Sequence, residues 1–176
     1  MIISVWRKRA ALGAGLAALF VTGSGALSAA PASAAATYWT FKSAYNGQCL
    51  NGSATTSAVW TAPCNGGPSQ QWDWIGAVEN WNGRYQKLRN RHSGECLMSD
   101  SESGGGRNAV WQSNCNQNTT NLYWSFDGGN ELSFPYVDNS LRVAASSSDA
   151  VYCSSPTWDA ASDLPYLTHV WRGSHT

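Results

Sequence analysis

The sequence predicts an all-β domain made of three copies of one pattern, and three observations lead to that prediction. A unit of about forty residues recurs along the chain. Each copy contains short aromatic and β-branched segments bounded by turn signals such as "NG", "SG", "GGP" and "DGG". After the first 34 residues, no stretch keeps a 3.6-residue apolar period for three turns, which disfavours helices.

Residues 1–34 are predicted to be a secretory signal peptide. The basic "RKR" start precedes the apolar run "AALGAGLAALFVTG", which is short for a membrane span, and "ALSAAPASAAA" offers small-residue cleavage sites. Cleavage is expected after Ala34, with Ala36 as the second choice. An uncleaved anchor is the alternative, but no stop-transfer charge cluster follows. The protein is therefore expected to be secreted, with an export signal of bacterial type.

Residues 35–176 are predicted to form one domain, because this length is enough to bury a substantial core. Three of the 11 basic residues lie in the predicted signal peptide and all 11 acidic residues follow it, which leaves a formal charge of −3. This charge argues against nucleic acid or anionic lipid as a partner. No membrane span is expected in the mature chain.

The first two copies of the repeat, at about 38–80 and 81–128, share one internal order. The first reads "FKSAYNGQCLNG", then "AVWTAPC", then "QQWDW". The second reads "LRNRHSGECLMS", then "AVWQSNC", then "LYWSF". Each has a hydrophobic residue, a turn, Cys-Leu, a loop, Val-Trp-x-x-x-Cys and a closing tryptophan. The shared order predicts the same succession of strands and hairpin in both copies.

The third copy, at about 129–176, has diverged. It reads "LSFPYVDNSLRV", then "AVYCSSP", then "HVW". The register places Ser140 where the first cysteine of the other copies stands, and Pro156 where the second stands. The third copy has therefore lost both partners of the cysteine pair. Cys153 lies three positions before Pro156 and is not a remnant of that pair.

Four cysteines are predicted to form two disulfides, each within its own repeat. Repeat symmetry selects Cys49 with Cys64 and Cys96 with Cys115 from the three possible pairings. An oxidising compartment, where disulfides persist, fits a secreted chain. Cys153 is left over, and it is either a buried small apolar residue beside Tyr152 or the site of an intermolecular bridge.

The repeated "NGQCL" and "SGECL" segments and the Gln-x-Trp motif at 70–72 resemble the ricin-type β-trefoil lectins, also classed as carbohydrate-binding modules of secreted bacterial proteins. The resemblance covers nearly all of residues 35–176 and implies a β-trefoil. It also implies that Trp72, Trp124 and Trp171 fill the shared core around a pseudo-threefold axis. Trp74 lies on the same strand face as Trp72 and is expected to join that core or to end at the barrel mouth.

The resemblance implies sugar-contacting positions, of which this chain keeps few. In the family, a side chain two before the tryptophan and a neighbouring Asn help to hold the sugar; here the three copies carry Gln70, Leu122 and His169, with Asn121 beside the leucine. Family sites also resemble Cys-Leu-Asp-Val, whose carboxylate accepts hydrogen bonds from two sugar hydroxyls. The equivalent positions are Asn51, Met98 and Arg142, none of them acidic.

Asn51 keeps an acceptor oxygen and adds a donor, so a weakened first site is expected, and at most one or two of the three sites are expected to be usable. Asp100 could reach the second site, or it is a solvated loop carboxylate. The ring expected two before the second cysteine is replaced by Ala62 and Ser113. An aromatic residue instead stands four before, and it serves either as packing or as a shifted sugar platform. The three equivalent rings are Trp60, Trp111 and Tyr152.

No motif predicts catalysis or a metal site, and no cofactor is expected. The three histidines lack HExxH spacing and residues 35–176 lack a Gly-x-Ser-x-Gly elbow. Asp100 and Glu102 alternate on one face, but a glycosidase needs two carboxylates at a defined separation in a cleft. The chain is therefore interpreted as non-enzymatic.

Three functional hypotheses remain. The first is a secreted carbohydrate-binding protein that acts on an extracellular glycan or polysaccharide. The second is a trefoil that has lost sugar binding and docks a secreted partner protein or inhibits an enzyme, motivated by further tryptophans that would anchor an interface if exposed. These are Trp39, Trp74, Trp81 and Trp158. The third is a disulfide-linked assembly through Cys153.

Overall fold

The structure is a computed structural model that describes residues 37–79, 84–100, 106–126, 130–135, 139–146, 149–155 and 163–175. The predicted signal peptide lies outside these residues, as do Trp81, Glu102, Pro156 and Trp158. Among the described residues, no helix is long and apolar enough to cross a membrane.

Within the described ranges the chain forms twelve short antiparallel strands, four in each predicted repeat. They are β1 Trp39–Ser43, β2 Cys49–Gly52, β3 Val59–Ala62, β4 Trp72–Glu79, β5 Tyr85–Asn90, β6 Cys96–Ser99, β7 Val110–Ser113, β8 Tyr123–Phe126, β9 Leu132–Phe134, β10 Asn139–Val143, β11 Val151–Ser154 and β12 Trp171–His175. A 3-10 helix precedes the last strand of each repeat, at Pro68–Gln70, Thr120–Leu122 and Tyr166–His169. The predicted all-β class with threefold repetition is confirmed.

Six of the strands form a barrel, and the other six form three hairpins at one end of it. The barrel strands pair in the order β12, β1, β4, β5, β8, β9. The Trp171 amide donates to the carbonyl of Asn130, 2.7 Å away, which brings β12 to the segment before β9. The hairpins are β2–β3, β6–β7 and β10–β11. Each hairpin follows the first barrel strand of its repeat.

The three hairpins contact one another in a cycle. The Thr61 amide in the first hairpin donates to the Asp149 carbonyl of the third, at 2.8 Å. The Gln112 amide in the second donates to Ser57 of the first, at 2.7 Å. In the third hairpin, the Cys153 amide donates at 3.0 Å to Asn108, from the loop of the second. Thr61, Gln112 and Cys153 are equivalent in the three repeats, so the docking is pseudo-threefold.

The core follows the same symmetry and confirms the predicted place of the three tryptophans. Trp72, Trp124 and Trp171 are fully buried and belong to one hydrophobic cluster. Each indole N–H donates to the carbonyl of the leucine that follows the first cysteine position of its repeat. The acceptors are Leu50 at 3.1 Å, Leu97 at 2.9 Å and Leu141 at 2.8 Å. Each ring thus fills the barrel and ties its last strand to its own hairpin.

The "NGQCL" and "SGECL" segments are tight turns between the barrel and the hairpins. Gly47 and Gly94 adopt positive φ of 72° and 74°, a region that side chains disfavour. Their amides donate back to Ser43 and Asn90, both at 3.0 Å. These glycines therefore set the angle at which each hairpin leaves its barrel strand.

Both predicted disulfides are confirmed. Cys49 bonds to Cys64 and Cys96 bonds to Cys115. Each bridge joins the first strand of a hairpin to the segment after its second strand. The bridges therefore close two of the three hairpins at their open ends, opposite their loops.

Replacing Cys49 and Cys64 by serine is expected to lower the free energy of unfolding, because the unfolded chain without the bridge has more conformational freedom. The two residues are 15 positions apart, and closing a loop of that length stabilises a fold by about 3 kcal/mol. Urea unfolding of residues 35–176 with and without the bridge measures the difference. A double variant as stable as the parent would show that the bridge adds no net stability.

A chain of polar contacts between three buried side chains and the half-buried Glu131 occupies the third repeat, which has no disulfide. The Ser140 hydroxyl, at the first cysteine position, donates to Oε2 of Glu131 at 2.9 Å. Oε1 of Glu131 lies 2.9 Å from Nε2 of His169, and Nδ1 of His169 lies 2.6 Å from Nη1 of Arg142. Because arginine can only donate, Nδ1 accepts and the ring proton sits on Nε2, facing the carboxylate. These four residues are the third-repeat network.

Cys153 is a free thiol with no exposed surface. Burial raises its pKa to about 12, against a smaller opposing effect of a hydrogen bond with Ser99 and the charge of Arg142. The buried interpretation is therefore the one that the structure supports, and an intermolecular bridge would require the hairpins to open.

In the native protein, Cys153 is expected to stay unmodified by a thiol reagent at pH 8, whereas the denatured protein is expected to react at one thiol per chain.

The raised pKa of Cys153 also predicts how stability depends on pH. Above about pH 9 the unfolded thiol loses its proton while the folded one keeps it, so stability falls between about pH 9 and 12. Reagent counting and urea midpoints across that range measure both effects. Rapid native labelling would contradict the burial.

Candidate functional site

The first hairpin places an amide and an aromatic ring on the same face. Asn51 on β2 and Trp60 on β3 are direct cross-strand partners, so their side chains point to the same side of the hairpin. Asn51 is 6% exposed and Trp60 is half-buried. Among the described residues, the structure records no hydrogen bond to the Asn51 side chain. The Asn51 amide therefore lies beside the indole ring and is uncommitted, which means that no described residue forms a hydrogen bond with it.

The equivalent pairs in the other hairpins differ in chemistry. Met98 faces Trp111 in the second hairpin, which offers a ring without a polar partner. Arg142 faces Tyr152 in the third, but both are buried, and Arg142 is 1% exposed and bonded into the third-repeat network. The predicted alignment of three aromatic rings is confirmed. The combination of ring and uncommitted amide is present in the first hairpin and in neither of the others.

Gln70, a predicted sugar contact, is buried and committed to its own loop. Its Nε2 donates to the Pro63 carbonyl at 3.0 Å, and its Oε1 accepts from the Asn65 amide at 2.9 Å. The equivalent Leu122 and His169 are also buried. In the first repeat this position therefore fixes the loop before the last barrel strand, and in the third its histidine joins the third-repeat network.

Asp100 and Asn121 are half-buried and lie apart from the Asn51–Trp60 pair in the strand order. Asp100 follows β6, and its amide donates to the Ala109 carbonyl at 3.0 Å. Asn121 lies in the second 3-10 helix, where its amide donates at 3.4 Å to the Thr119 hydroxyl. The predicted site residues are therefore distributed over two repeats.

Two polar clefts at equivalent places between repeats were missed by the sequence analysis. One, of about 330 Å³, lies between the loop of the first hairpin and the second repeat; its polar lining includes Thr55, Thr56, Ser93, Glu95, Asn114 and Gln117. The other, of about 300 Å³, lies between the loop of the third hairpin and the first repeat, with Tyr45, Asn46, Gln48 and Asp149. Neither is lined by Asn51 or Trp60. Such clefts escape a comparison of repeats because each wall comes from a different repeat.

The first cleft has a fixed wall. Nε2 of Gln112 donates to the Ser53 and Thr56 carbonyls of the hairpin loop at 2.9 and 3.3 Å. Its Oε1 accepts from the Ser93 hydroxyl at 2.7 Å. One buried side chain thus joins both sides of the cleft. In the described part of the chain, no group of three or more His, Cys, Asp or Glu side chains is placed to hold a metal ion.

Comparison with solved structures identifies the fold. A designed threefold-symmetric protein, ThreeFoil, matches with a TM-score of 0.58 and 25% identity over 77% of this chain and 96% of its own. A Macrolepiota procera ricin B-like lectin in complex with lactose matches with a TM-score of 0.56 and 19% identity, covering 78% and 94%. A non-toxic homologue of type II RIPs from Momordica charantia, in complex with α-methyl-D-galactoside, matches with a TM-score of 0.58 and 17% identity, covering 78% and 47%.

No family model matches the chain, and no curated protein sequence matches it. The structural likeness confirms the predicted architecture. The chain has a ricin-type β-trefoil fold.

Proposed function

We propose that this chain, a ricin-type β-trefoil by fold, is a secreted, non-catalytic protein that binds carbohydrate. The observation that carries the proposal is the Asn51–Trp60 pair, an uncommitted amide held beside an aromatic ring on one face of the first hairpin. A sugar ring has an apolar face that stacks on an indole and hydroxyls that an amide can both donate to and accept from.

The chemistry of this pair favours weak individual binding. A neutral amide forms hydrogen bonds about half as strong as those of a carboxylate. The polar clefts offer further hydroxyl, amide and carboxylate groups, one cleft beside the loop of the first hairpin and the other beside the loop of the third. A polymeric glycan that contacted two of these places at once would gain affinity through effective concentration. An extended polysaccharide is therefore a better ligand than a free monosaccharide.

Export and the absence of catalysis belong to the same proposal. Two disulfides fit an oxidising compartment outside the cytoplasm, as the predicted signal peptide requires. Residues 35–176 contain neither an HExxH motif nor a Gly-x-Ser-x-Gly elbow. The lectin of Macrolepiota procera, which shares the fold, was solved with lactose.

A glycan array and polysaccharide pull-down with residues 35–176 test the proposal, repeated on three variants. Asn51→Ala and Trp60→Ala are each expected to weaken binding about tenfold, the effect of losing roughly one hydrogen bond or stacking contact. Trp111→Ala is the matched control, because its ring faces Met98 instead of an amide. Binding that neither of the first two changes alters would place the site elsewhere, and the absence of any glycan ligand would reject the function.

A protein-binding function is the second candidate, and one observation favours it. Tyr166 and Leu167 are adjacent in the third 3-10 helix and are 69% and 48% exposed. Exposed apolar side chains of this kind can anchor an interface. Trp39 and Trp74, by contrast, pack against the core. Recovery of a stoichiometric partner from culture supernatant, lost with Tyr166→Ser, would favour this candidate over the glycan.

A further inference from the structure

The end of the barrel away from the hairpins is lined by aromatic side chains. The first hairpin leaves β1 after Ser43, so Trp39 at the start of β1 marks the opposite end. Trp74 and Phe126 lie two residues after the core Trp72 and Trp124 and therefore share their face of the strand, one layer further out. We call this end the barrel mouth.

A cavity of about 170 Å³ opens at the barrel mouth. Its walls are the rings of Trp39, Trp74 and Phe126, and Trp124 of the core lies at its floor. The volume equals that of about six water molecules, which is the scale of one six-membered ring with its substituents. A single sugar residue is therefore the largest unit of a glycan that the cavity would enclose.

The aromatic walls are held in place by their packing. Trp39 meets Phe126 edge to face at a centroid distance of 6.0 Å. Phe41 beneath contacts Phe126 at 5.3 Å and Trp74 at 6.2 Å, both edge to face. Gly173 is the third-repeat equivalent of Trp74 and Phe126, and a Cβ there would lie 2.7 Å from Cε1 of Phe126. The missing side chain leaves room for the rings that form the walls.

Polar groups stand on one side of the cavity. Nε2 of Gln86 donates to the Gly76 carbonyl at 3.0 Å, which orients the amide and leaves Oε1 as an acceptor. Ser125 adds a hydroxyl. Arg84 is exposed at the rim, and the described residues provide no recorded ion pair or hydrogen bond for its guanidinium. The cavity thus combines flat apolar walls with a fixed acceptor and an available cation.

We propose that the barrel mouth binds one sugar residue that carries a carboxylate, a hexuronate of an acidic glycan. The rings take the apolar face of the sugar, Gln86 and Ser125 take hydroxyls, and Arg84 takes the carboxylate, since guanidinium and carboxylate match as a two-bonded pair. This inference rests on the proposed carbohydrate function, but it uses a site at the other end of the barrel from the Asn51–Trp60 pair.

Titration followed by NMR tests the site, because each tryptophan gives its own indole N–H signal. Methyl glucuronide is expected to shift the Trp39 and Trp74 signals and to leave Trp60 unmoved. Methyl glucoside, the uncharged counterpart, is expected to bind at least tenfold more weakly. Arg84→Gln should reduce glucuronide affinity to the level of glucoside. Arg107→Gln removes a charge from the hairpin end, 4.8 Å above Tyr152, and should change nothing.

Equal binding of glucoside and glucuronide, or an unchanged affinity in Arg84→Gln, would overturn the assignment. Benzoate provides a third arm, and tighter binding of benzoate than of glucuronide would show that the cavity takes an aromatic acid instead of a sugar. Asn51→Ala separates the two proposals. If neutral glycans still bind through Asn51 while glucuronide leaves the mouth signals unmoved, the hexuronate inference fails and the proposed function stands.

Discussion

Trp124→Ala is expected to lower the free energy of unfolding by about 3–5 kcal/mol. The ring is fully buried in the barrel, and its indole N–H donates to the Leu97 carbonyl at 2.9 Å. Truncation therefore leaves both a large void and a buried carbonyl without its donor. Since domains are stable by about 5–15 kcal/mol, the variant should lose a large part of its total stability. Urea unfolding measures the loss.

Trp111→Ala is the control for this result. The Trp111 ring is half-buried on the second hairpin, and the structure records no hydrogen bond from its indole among the described residues. Its loss should cost clearly less than that of Trp124. Equal losses would mean that the barrel interior does not depend on its three symmetric rings.

Arg142→Ala is expected to destabilise the protein by about 3–5 kcal/mol, because truncation empties the volume of a large buried side chain and leaves Nδ1 of His169 without its donor. Arg142 is 1% exposed and donates to Nδ1 of His169, which faces Glu131. Without the guanidinium, Glu131 keeps its neutral partners but loses the cation of the network. Arg142→Met should cost less, because it refills the volume with apolar atoms. Thermal and urea unfolding of the three proteins measure these differences.

An exposed arginine provides the matched control. Arg89 has a side chain that is 42% exposed and pairs with Asp73 at 3.3 Å. Exposed pairs contribute about 0–1 kcal/mol, so Arg89→Ala should change stability little. If the two alanine variants lost the same amount, the third-repeat network would be no more than a set of surface contacts.

Features that repeat within the sequence could be predicted from it. The disulfide partners, the three core tryptophans and the aligned rings of the hairpins each recur at equivalent places in the repeats, and the structure confirms all of them. Symmetry carries this information because equivalent residues face equivalent neighbours. The sequence pattern was therefore sufficient for the fold.

Features assembled from different repeats could not be found in this way. The inter-repeat clefts and the barrel mouth bring together residues such as Trp39, Gln86 and Phe126, whose positions carry different side chains in the other repeats, so a comparison of repeats does not single them out. The role of Gln70 depends on a loop whose path the sequence does not reveal. Arg142 stands at the position of the family's sugar-contacting acid, but the structure buries its side chain against His169, 27 residues away in sequence, which in turn contacts Glu131.

The cycle of hairpin contacts also determines what a fragment of this protein can do. Each hairpin receives a loop from one neighbour and supplies a loop to the other, through backbone groups of Thr61, Gln112 and Cys153. A single repeat cut from the chain would have a hairpin on which no loop is docked, and a loop with no neighbouring hairpin to contact. Such a fragment has the complementary faces of a head-to-tail trimer, so self-assembly into a ring of three is the state in which it would regain every one of these bonds.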